Sequence, residues 1–210
     1  YKGADCELKL TKKILISIAK TKNIAINSVT LTRNKPMVLL NAINTAYKNK
    51  NKIYFDLNIR MNYVNKNLKN NIIKNIKKST IIKLNVQELN LLFGSNKITY
   101  AKQILKYGPK IVLLTCGDKG AYYLTDKFFE HVDTIDVQEV DDTGAGDSFL
   151  SAFISKTYHY EYNEISSISN ETLYNSVFFS NIAGALTATK ISTIHSLPKE
   201  HEIEEVYKQH

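Results

Sequence analysis

Arginine is almost absent from this chain: of its 28 basic residues only Arg33 and Arg60 are not lysine. The absence matters because a formal charge of +8 invites a nucleic-acid partner. Surfaces that grip nucleic acid interleave arginine and aromatic side chains with their lysines. Here the excess is lysine, mixed with abundant asparagine and isoleucine, and it is one-sided. Residues 1–110 hold 22 basic against 4 acidic residues, while residues 111–210 hold 6 against 16. The skew reads as lysine and asparagine spent on solvated faces. No nucleic-acid partner is expected; a basic nucleic-acid-binding protein is the alternative, and a steep salt dependence of binding would mark it.

Cysteine is scarce too. Cys6 and Cys116 are the only two; they lie far apart and without metal-ligand spacing, which fits a reducing, cytoplasmic compartment. His131, His159, His195, His201 and His210 share no spacing that would hold a metal. No apolar run is long enough to span a membrane, no signal-peptide pattern is present, and no membrane partner is expected. There is no internal repeat. The chain begins at Tyr1 rather than methionine, which points to a fragment or a processed product. Its 210 residues suffice for one large domain or two small ones without disulfide staples.

What the sequence does have is alternation. Apolar clusters at Ile14 to Ile18 and Asn23 to Val29, the second read as a short buried strand, precede a helix opening at Pro36. Helical stripes and short apolar runs then take turns: Ile53 to Leu57 as a strand, Leu68 to Ile76 as a helix, Ile81 to Leu84 as a strand, residues 86–93 and 98–107 as helices, and Ile111 to Thr115 as a buried strand. Ala121 to Leu124 and residues 132–140 read as further strands, with a tight turn over Gly117 to Gly120 making a hairpin. Helices over residues 147–157 and 171–189 and a final charged helix close the chain. This order predicts an α/β fold around a mostly parallel sheet.

One stretch organises the rest: Asp141-Asp142-Thr143-Gly144-Ala145-Gly146-Asp147-Ser148-Phe149. The alternating run Val137 to Val140 enters it and an apolar-striped segment leaves it, which predicts a strand, a glycine turn and the start of a helix. Glycines let backbone approach a ligand closely, and the first N–H groups of a helix lack internal partners, so such a turn accepts anions. Asp147 puts a carboxylate beside that turn, where it can take the proton of a hydroxyl attacking a phosphoryl group. An ordinary helix cap is the plainer reading of a short glycine motif.

The whole string resembles the DTTGAGD signature of the ribokinase-like (PfkB) sugar kinases, and four further stretches resemble that family in the same order. Carried over by position, the resemblance implies Asp147 as catalytic base and substrate contact, with Gly144, Ala145 and Gly146 as the anion hole. Phe55-Asp56-Leu57-Asn58-Ile59-Arg60 is similar to the FDPNLR of fructokinases, with leucine in place of proline, and implies that Arg60 reaches the substrate; Asp56 and Asn58 also suit turn formation. Asn85 and Glu88 match the N-x-x-E motif, which implies ATP and a magnesium ion held through water. The same residues also make a helix cap with a glutamate three residues on. Thr115, Cys116, Gly117, Asp118, Lys119 and Gly120 resemble the nucleotide loop, where Cys116 reads as a small buried apolar residue. With Gly146 and Asn181 they complete the implied ATP contacts. Potassium is the further ion implied, near Asp141, Thr143, Ala188, Ile191, Thr193 and Ser196; Ser192 and His195 depart from the glycine and proline common there.

The resemblance runs from about Asp5 to Pro198 and matches the later part of a ribokinase-like three-layer sandwich, which implies a single kinase domain over residues 1–210, incomplete at its N-terminus. The first strands, the lid and the sugar-selecting residues are expected to lie outside it, and the complete protein is expected to form a homodimer. It implies a fructokinase-like, ATP-dependent phosphorylation of a sugar hydroxyl. A non-catalytic nucleotide-binding module, and a kinase for another sugar, a ketodeoxy acid or a nucleoside, stand beside it as alternatives.

Overall fold

Three runs in the chain, Lys52–Asp56, Ile81–Asn85 and Ile111–Thr115, are buried at almost every position. Strands covered on both faces have this composition, and these three form the middle of the sheet. A computed structural model describes residues 9–29, 36–59, 66–191 and 194–210. Arg60, Ser192 and Thr193 lie outside the described residues, as does most of the loop expected over residues 1–10.

The elements in order are α1 (Lys12–Lys20), β1 (Asn23–Asn27), α2 (Pro36–Lys48), β2 (Lys52–Asp56), α3 (Lys66–Ile76), β3 (Ile81–Asn85) and α4 (Val86–Phe93). A 3-10 turn, Ile98–Ala101, leads into the short α5 (Lys102–Leu105). Then come β4 (Ile111–Thr115), β5 (Ala121–Leu124), β6 (Phe129–Val132), α6 (Ala145–Thr157), α7 (Asn170–Ala188) and α8 (Glu200–Tyr207). The strands form one six-stranded sheet in sequential order. β1 to β4 are parallel, and β5 and β6 are added antiparallel.

Side chains alternate across a strand, and here the alternation assigns each residue to a layer. Phe55, Ile82, Leu84, Val112 and Leu114 pack with Leu39, Ile43, Leu68, Ile72 and Leu89 of α2, α3 and α4. The intervening Tyr54, Ile81, Ile111 and Leu113 pack on the other face with Phe149, Phe153, Leu173 and Val177 of α6 and α7. Burying side chains such as Phe55, Ile72 and Phe153 fully contributes about 1.5–3 kcal/mol each. The result is an α/β arrangement, a mostly parallel sheet between helical layers.

Register brings the strand ends together. Asp56 lies opposite Lys83, and Asn85 opposite Thr115, so β2, β3 and β4 end at one edge of the sheet, the edge where open α/β sheets bind ligands.

Three expectations are corrected. The strand read over residues 132–140 ends at Val132, and Val137 to Val140 is irregular chain. A strand needs a partner ladder, and β5 supplies none beyond Ala121, which pairs Val132. The N–H groups of Val140 and Asp141 instead both donate to the Ala188 carbonyl, at 2.8 and 3.1 Å. The glycine motif is therefore entered from a loop rather than a strand. β1 is not buried as expected, because it is an edge strand with no fully covered residue. The helix read over residues 98–107 is the 3-10 turn followed by α5.

Candidate active site

At the carboxyl edge of the sheet the strand ends, the nucleotide-loop residues and the start of α6 surround a cleft of about 930 Å³. Its lining includes Asp56, Lys83, Asn85, Glu88, Thr115 to Asp118, Gly120, residues 142–147 and Asn181. Of the expected nucleotide-loop residues, Lys119 alone does not line it. Motifs spread over 126 positions of sequence, from Asp56 to Asn181, thus meet in one place.

Gly144 caps α6 in the left-handed region (φ +91°) and offers no side-chain cap. The Ala145 N–H donates to the Asp142 carbonyl at 3.0 Å, so this amide is committed to the turn and is not an anion-hole donor in this conformation. The first bond of the helix ladder runs from the Ser148 N–H to the Gly144 carbonyl. Among the described residues the N–H groups of Gly144, Gly146 and Asp147 make no such bond. These are the helix-start donors that attract anions. The Asp147 side chain is exposed and unbonded within the described residues. α7 holds this turn closely: the Ser148 hydroxyl donates to the Ala183 carbonyl at 3.1 Å, and a Cβ on Gly184 would come within 3.3 Å of the Ala145 carbonyl oxygen.

Asn85 and Glu88 form a reciprocal helix cap. The Glu88 N–H donates to Asn85 Oδ1 and the Asn85 N–H to Glu88 Oε2, both at 2.9 Å. Glu88 Oε1 accepts the Ile59 N–H at 2.6 Å. The glutamate is therefore a buried strut between α4 and the loop after β2, in which Asn58 takes a left-handed conformation (φ +35°). Burial pushes the Glu88 carboxyl above its ordinary range, against the pull of those two N–H groups.

The Cys116 N–H donates to the Gly120 carbonyl at 2.8 Å, closing the turn between β4 and β5. Gly120 (φ +75°) packs against the chain leaving β6, where a Cβ would lie 2.1 Å from the Val132 carbonyl oxygen. Burial raises the Cys116 thiol, consistent with a packing role. Asn181, buried in α7, donates through Nδ2 to the Val132 and Asp133 carbonyls at 2.9 and 3.0 Å; it fixes the wall that residues 134–139 contribute to the cleft. Of the expected potassium neighbours, Asp141 accepts the Thr143 N–H, Ile191 is exposed, Ser196 is buried, and the Ala188 carbonyl already accepts two N–H groups.

Sequence reasoning missed Lys83 and the wall formed by residues 134–139. Seven carboxylates line the cleft (Asp56, Glu88, Asp118, Asp136, Glu139, Asp142 and Asp147), and among the described residues Lys83 is the single basic side chain. The signal for Lys83 was present in Ile81-Ile82-Lys83-Leu84: a charge inside a buried strand needs a partner, and Asp56 lies opposite it in the register.

The family model for pfkB family carbohydrate kinases matches residues 2–200. The chain belongs to the pfkB family. Among curated members it is 38% identical over 125 residues to fructokinase-2 of Solanum habrochaites, a match covering 58% of this chain and 37% of that protein. It is 36% identical over 126 residues to fructokinase-1 of Zea mays, covering 59% and 38%. The matched part thus spans about two-fifths of the length of these pfkB relatives. Among solved structures, fructokinase with bound ATP from Xylella fastidiosa superposes with a TM-score of 0.84 at 19% identity, covering 92% of this chain and 63% of that one. Fructokinase from Vibrio cholerae, bound to fructose, ADP and calcium, gives 0.75 at 22%, covering 87% and 59%. These two likenesses establish the pfkB-type fold.

Proposed function

We propose that the protein transfers the γ-phosphoryl group of ATP to a hydroxyl of a sugar, with fructose the leading acceptor. One observation carries this reading: the α6 start places the unbonded Gly146 and Asp147 N–H groups and the free Asp147 carboxylate together in the cleft that also holds the Thr115 to Gly120 loop. The kinship with proteins named fructokinase supports the acceptor.

In the proposed reaction the sugar hydroxyl oxygen bonds to the γ-phosphorus as the bond from that phosphorus to the β,γ-bridging oxygen breaks. ADP leaves with the electron pair, and the hydroxyl proton passes to Asp147. Gly144, Gly146 and Asp147 N–H groups meet charge on the transferring oxygens; such transfers depend mainly on positioning and charge stabilisation. Asp118, Gly120 and the wall held by Asn181 contain the nucleotide.

A triphosphate entering a cleft with seven carboxylates and one lysine meets repulsion that a divalent cation would relieve. The donor set fits a metal shared with phosphate: among the described residues no group of three or more His, Cys, Asp or Glu side chains is arranged to hold one alone. Asn85 and Glu88 would hold hydrated magnesium through the lone pairs that the helix cap leaves over. For the Ala188 carbonyl to join Asp141, Thr143 and Ser196 around potassium, it would have to give up the Val140 and Asp141 N–H donors it now accepts.

The test is incubation of the protein with fructose and magnesium-ATP, following ADP and the sugar phosphate by phosphorus NMR. Stoichiometric formation of both supports the reading; ADP and inorganic phosphate without sugar phosphate contradicts it.

A further inference from the structure

Lys52 opens β2 with a charge at a position that is only 1% exposed. Strand phase turns it to the face of Tyr54 and Asp56, the face that α6 covers. Its ammonium donates to the Thr157 and Tyr158 carbonyls at 2.9 and 2.8 Å. Thr157 ends α6 and Tyr158 caps it, so these carbonyls lie where the helix ladder runs out and the dipole is negative. Two more side chains close on the same spot. Asn23 of β1 donates through Nδ2 to the Tyr158 carbonyl at 3.1 Å. The Thr157 hydroxyl donates to the Phe153 carbonyl at 2.7 Å, which leaves its oxygen to accept the Tyr54 hydroxyl at 3.1 Å. Helix ends are ordinarily finished by water or a glycine turn. A desolvated ammonium is a costly cap, and a buried charge is weak evidence for stability.

Geometry gives the clamp another use. Hydrogen bonds to terminal carbonyls run along the helix axis, so this one resists sliding of α6 along β2. The contacts with α7 are lateral: the Ser148 hydroxyl on the Ala183 carbonyl, and Gly184 against the Ala145 carbonyl oxygen. Lateral packing of helices permits small sliding movements. α6 has 13 residues and is about 20 Å long. From Asp147 to Thr157 it contains no glycine or proline at which a kink would absorb a displacement. A shift at Thr157 therefore reaches Gly146 and Asp147. Asp56, the last residue of β2 on the same face, lines the cleft with them, so one strand registers both ends of the helix.

We infer that Lys52 is a positioning residue: by holding the last carbonyls of α6 it sets how far the helix reaches into the cleft, and so places the Gly146 and Asp147 N–H groups and the Asp147 carboxylate. Asn23 and Tyr54 complete the clamp. The catalytic consequence rests on the kinase reading proposed above; the placement of the α6 start does not. Lys52 moves no proton or electron pair in the reaction.

The experiment compares the full-length wild-type chain with Lys52→Met, which keeps most of the side-chain volume and removes the ammonium. Backbone amide resonances report the position of the α6 start without turnover, and steady-state fructose phosphorylation reports its effect. Ile72→Val, a core change on the opposite face of the sheet, controls for a general loss of stability. Lys52→Met is expected to move the Gly146 and Asp147 amide resonances as well as those near Thr157. Its kcat should fall by about 10- to 100-fold, the scale of misplacing reacting groups by up to about 1 Å, with the affinity for magnesium-ADP retained. Ile72→Val should leave the α6-start resonances and kcat as in the wild type. Tyr54→Phe, which removes one hydroxyl from the clamp, should shift the same resonances less and decides the matter if Lys52→Met does not fold. A folded Lys52→Met protein whose Gly146 and Asp147 amides or kcat match the wild type overturns the proposal and reduces Lys52 to a cap. A wild-type chain that forms no sugar phosphate overturns the kinase reading, and the amide shifts alone then decide whether Lys52 places the α6 start.

Discussion

Glu88 offers a quantitative test of the cleft's construction. Its carboxylate accepts the Ile59 and Asn85 N–H groups at 2.6 and 2.9 Å and is buried. Hydrogen bonds to a charged group contribute about 1.5–3 kcal/mol each, partly offset by the cost of burying the carboxylate. Glu88→Gln keeps one carbonyl oxygen but turns an NH₂ group toward the other N–H, so one bond becomes a donor–donor clash. The expected loss is about 2 kcal/mol, with Glu88→Ala losing more because both N–H groups are orphaned. The pH dependence has a definite sign. A carboxyl raised in the folded state binds its proton more readily there than in the unfolded chain. The stability that this shift adds relative to Glu88→Gln therefore grows as pH falls through the raised pKa, is complete below the ordinary carboxyl pKa, and is lost as pH rises, where the loss of about 2 kcal/mol from the hydrogen bonds alone remains. Urea unfolding of both proteins across that range is the assay. A loss under about 0.5 kcal/mol, the scale of an ordinary surface change, would show that Glu88 is not a strut, whatever it does for a metal.

Two further perturbations probe the frame. Gly120→Ala combines a strained φ with a Cβ 2.1 Å from the Val132 carbonyl oxygen and 2.9 Å from the Asp133 carbonyl carbon; backbone atoms cannot rotate away, and a loss of about 3–5 kcal/mol in urea unfolding is expected, with a wild-type midpoint counting against the packing described. Lys52 donates to the Thr157 and Tyr158 carbonyls at the end of α6, and burial lowers its pKa to about 8 from 10.5. The unfolded chain then binds more protons between those values, so stability relative to Lys52→Met should rise with pH across that window; a flat or falling difference would mean that this ammonium is not desolvated.

Much of this architecture was legible because the informative residues sit in central strands. Ile53 to Leu57, Ile81 to Leu84 and Ile111 to Thr115 are covered on both faces, so their continuous apolar character is unambiguous. Asn85, Thr115 and the Gly144 turn, matched to three motifs of one family, line one cleft in the structure. The failures share a physical cause: local pattern carries no information about partners. Val132 to Val140 alternates like a strand, but β5 ends opposite Val132. Asn23 to Val29 is apolar like a buried strand, yet it is an edge. The Ala145 N–H looked available until the turn brought Asp142 beneath it. Lys83 was overlooked among many solvated lysines, and only the parallel register revealed its carboxylate.

The central claim is that Asp147 accepts the proton of the attacking hydroxyl beside an anion hole made by its own helix. Asp147→Asn preserves shape, and the side chain has no bond within the described residues to lose, so the fold and the Gly146 turn should persist. The decisive measurement is the steady-state rate of fructose phosphorylation by the wild-type and Asp147→Asn proteins, with magnesium-ADP affinity measured on the same samples. Loss of general-base help predicts a rate lower by about 10²–10⁴ with nucleotide affinity unchanged. An asparagine variant that binds nucleotide normally and retains more than about a tenth of the wild-type rate, well short of that penalty, would contradict the account.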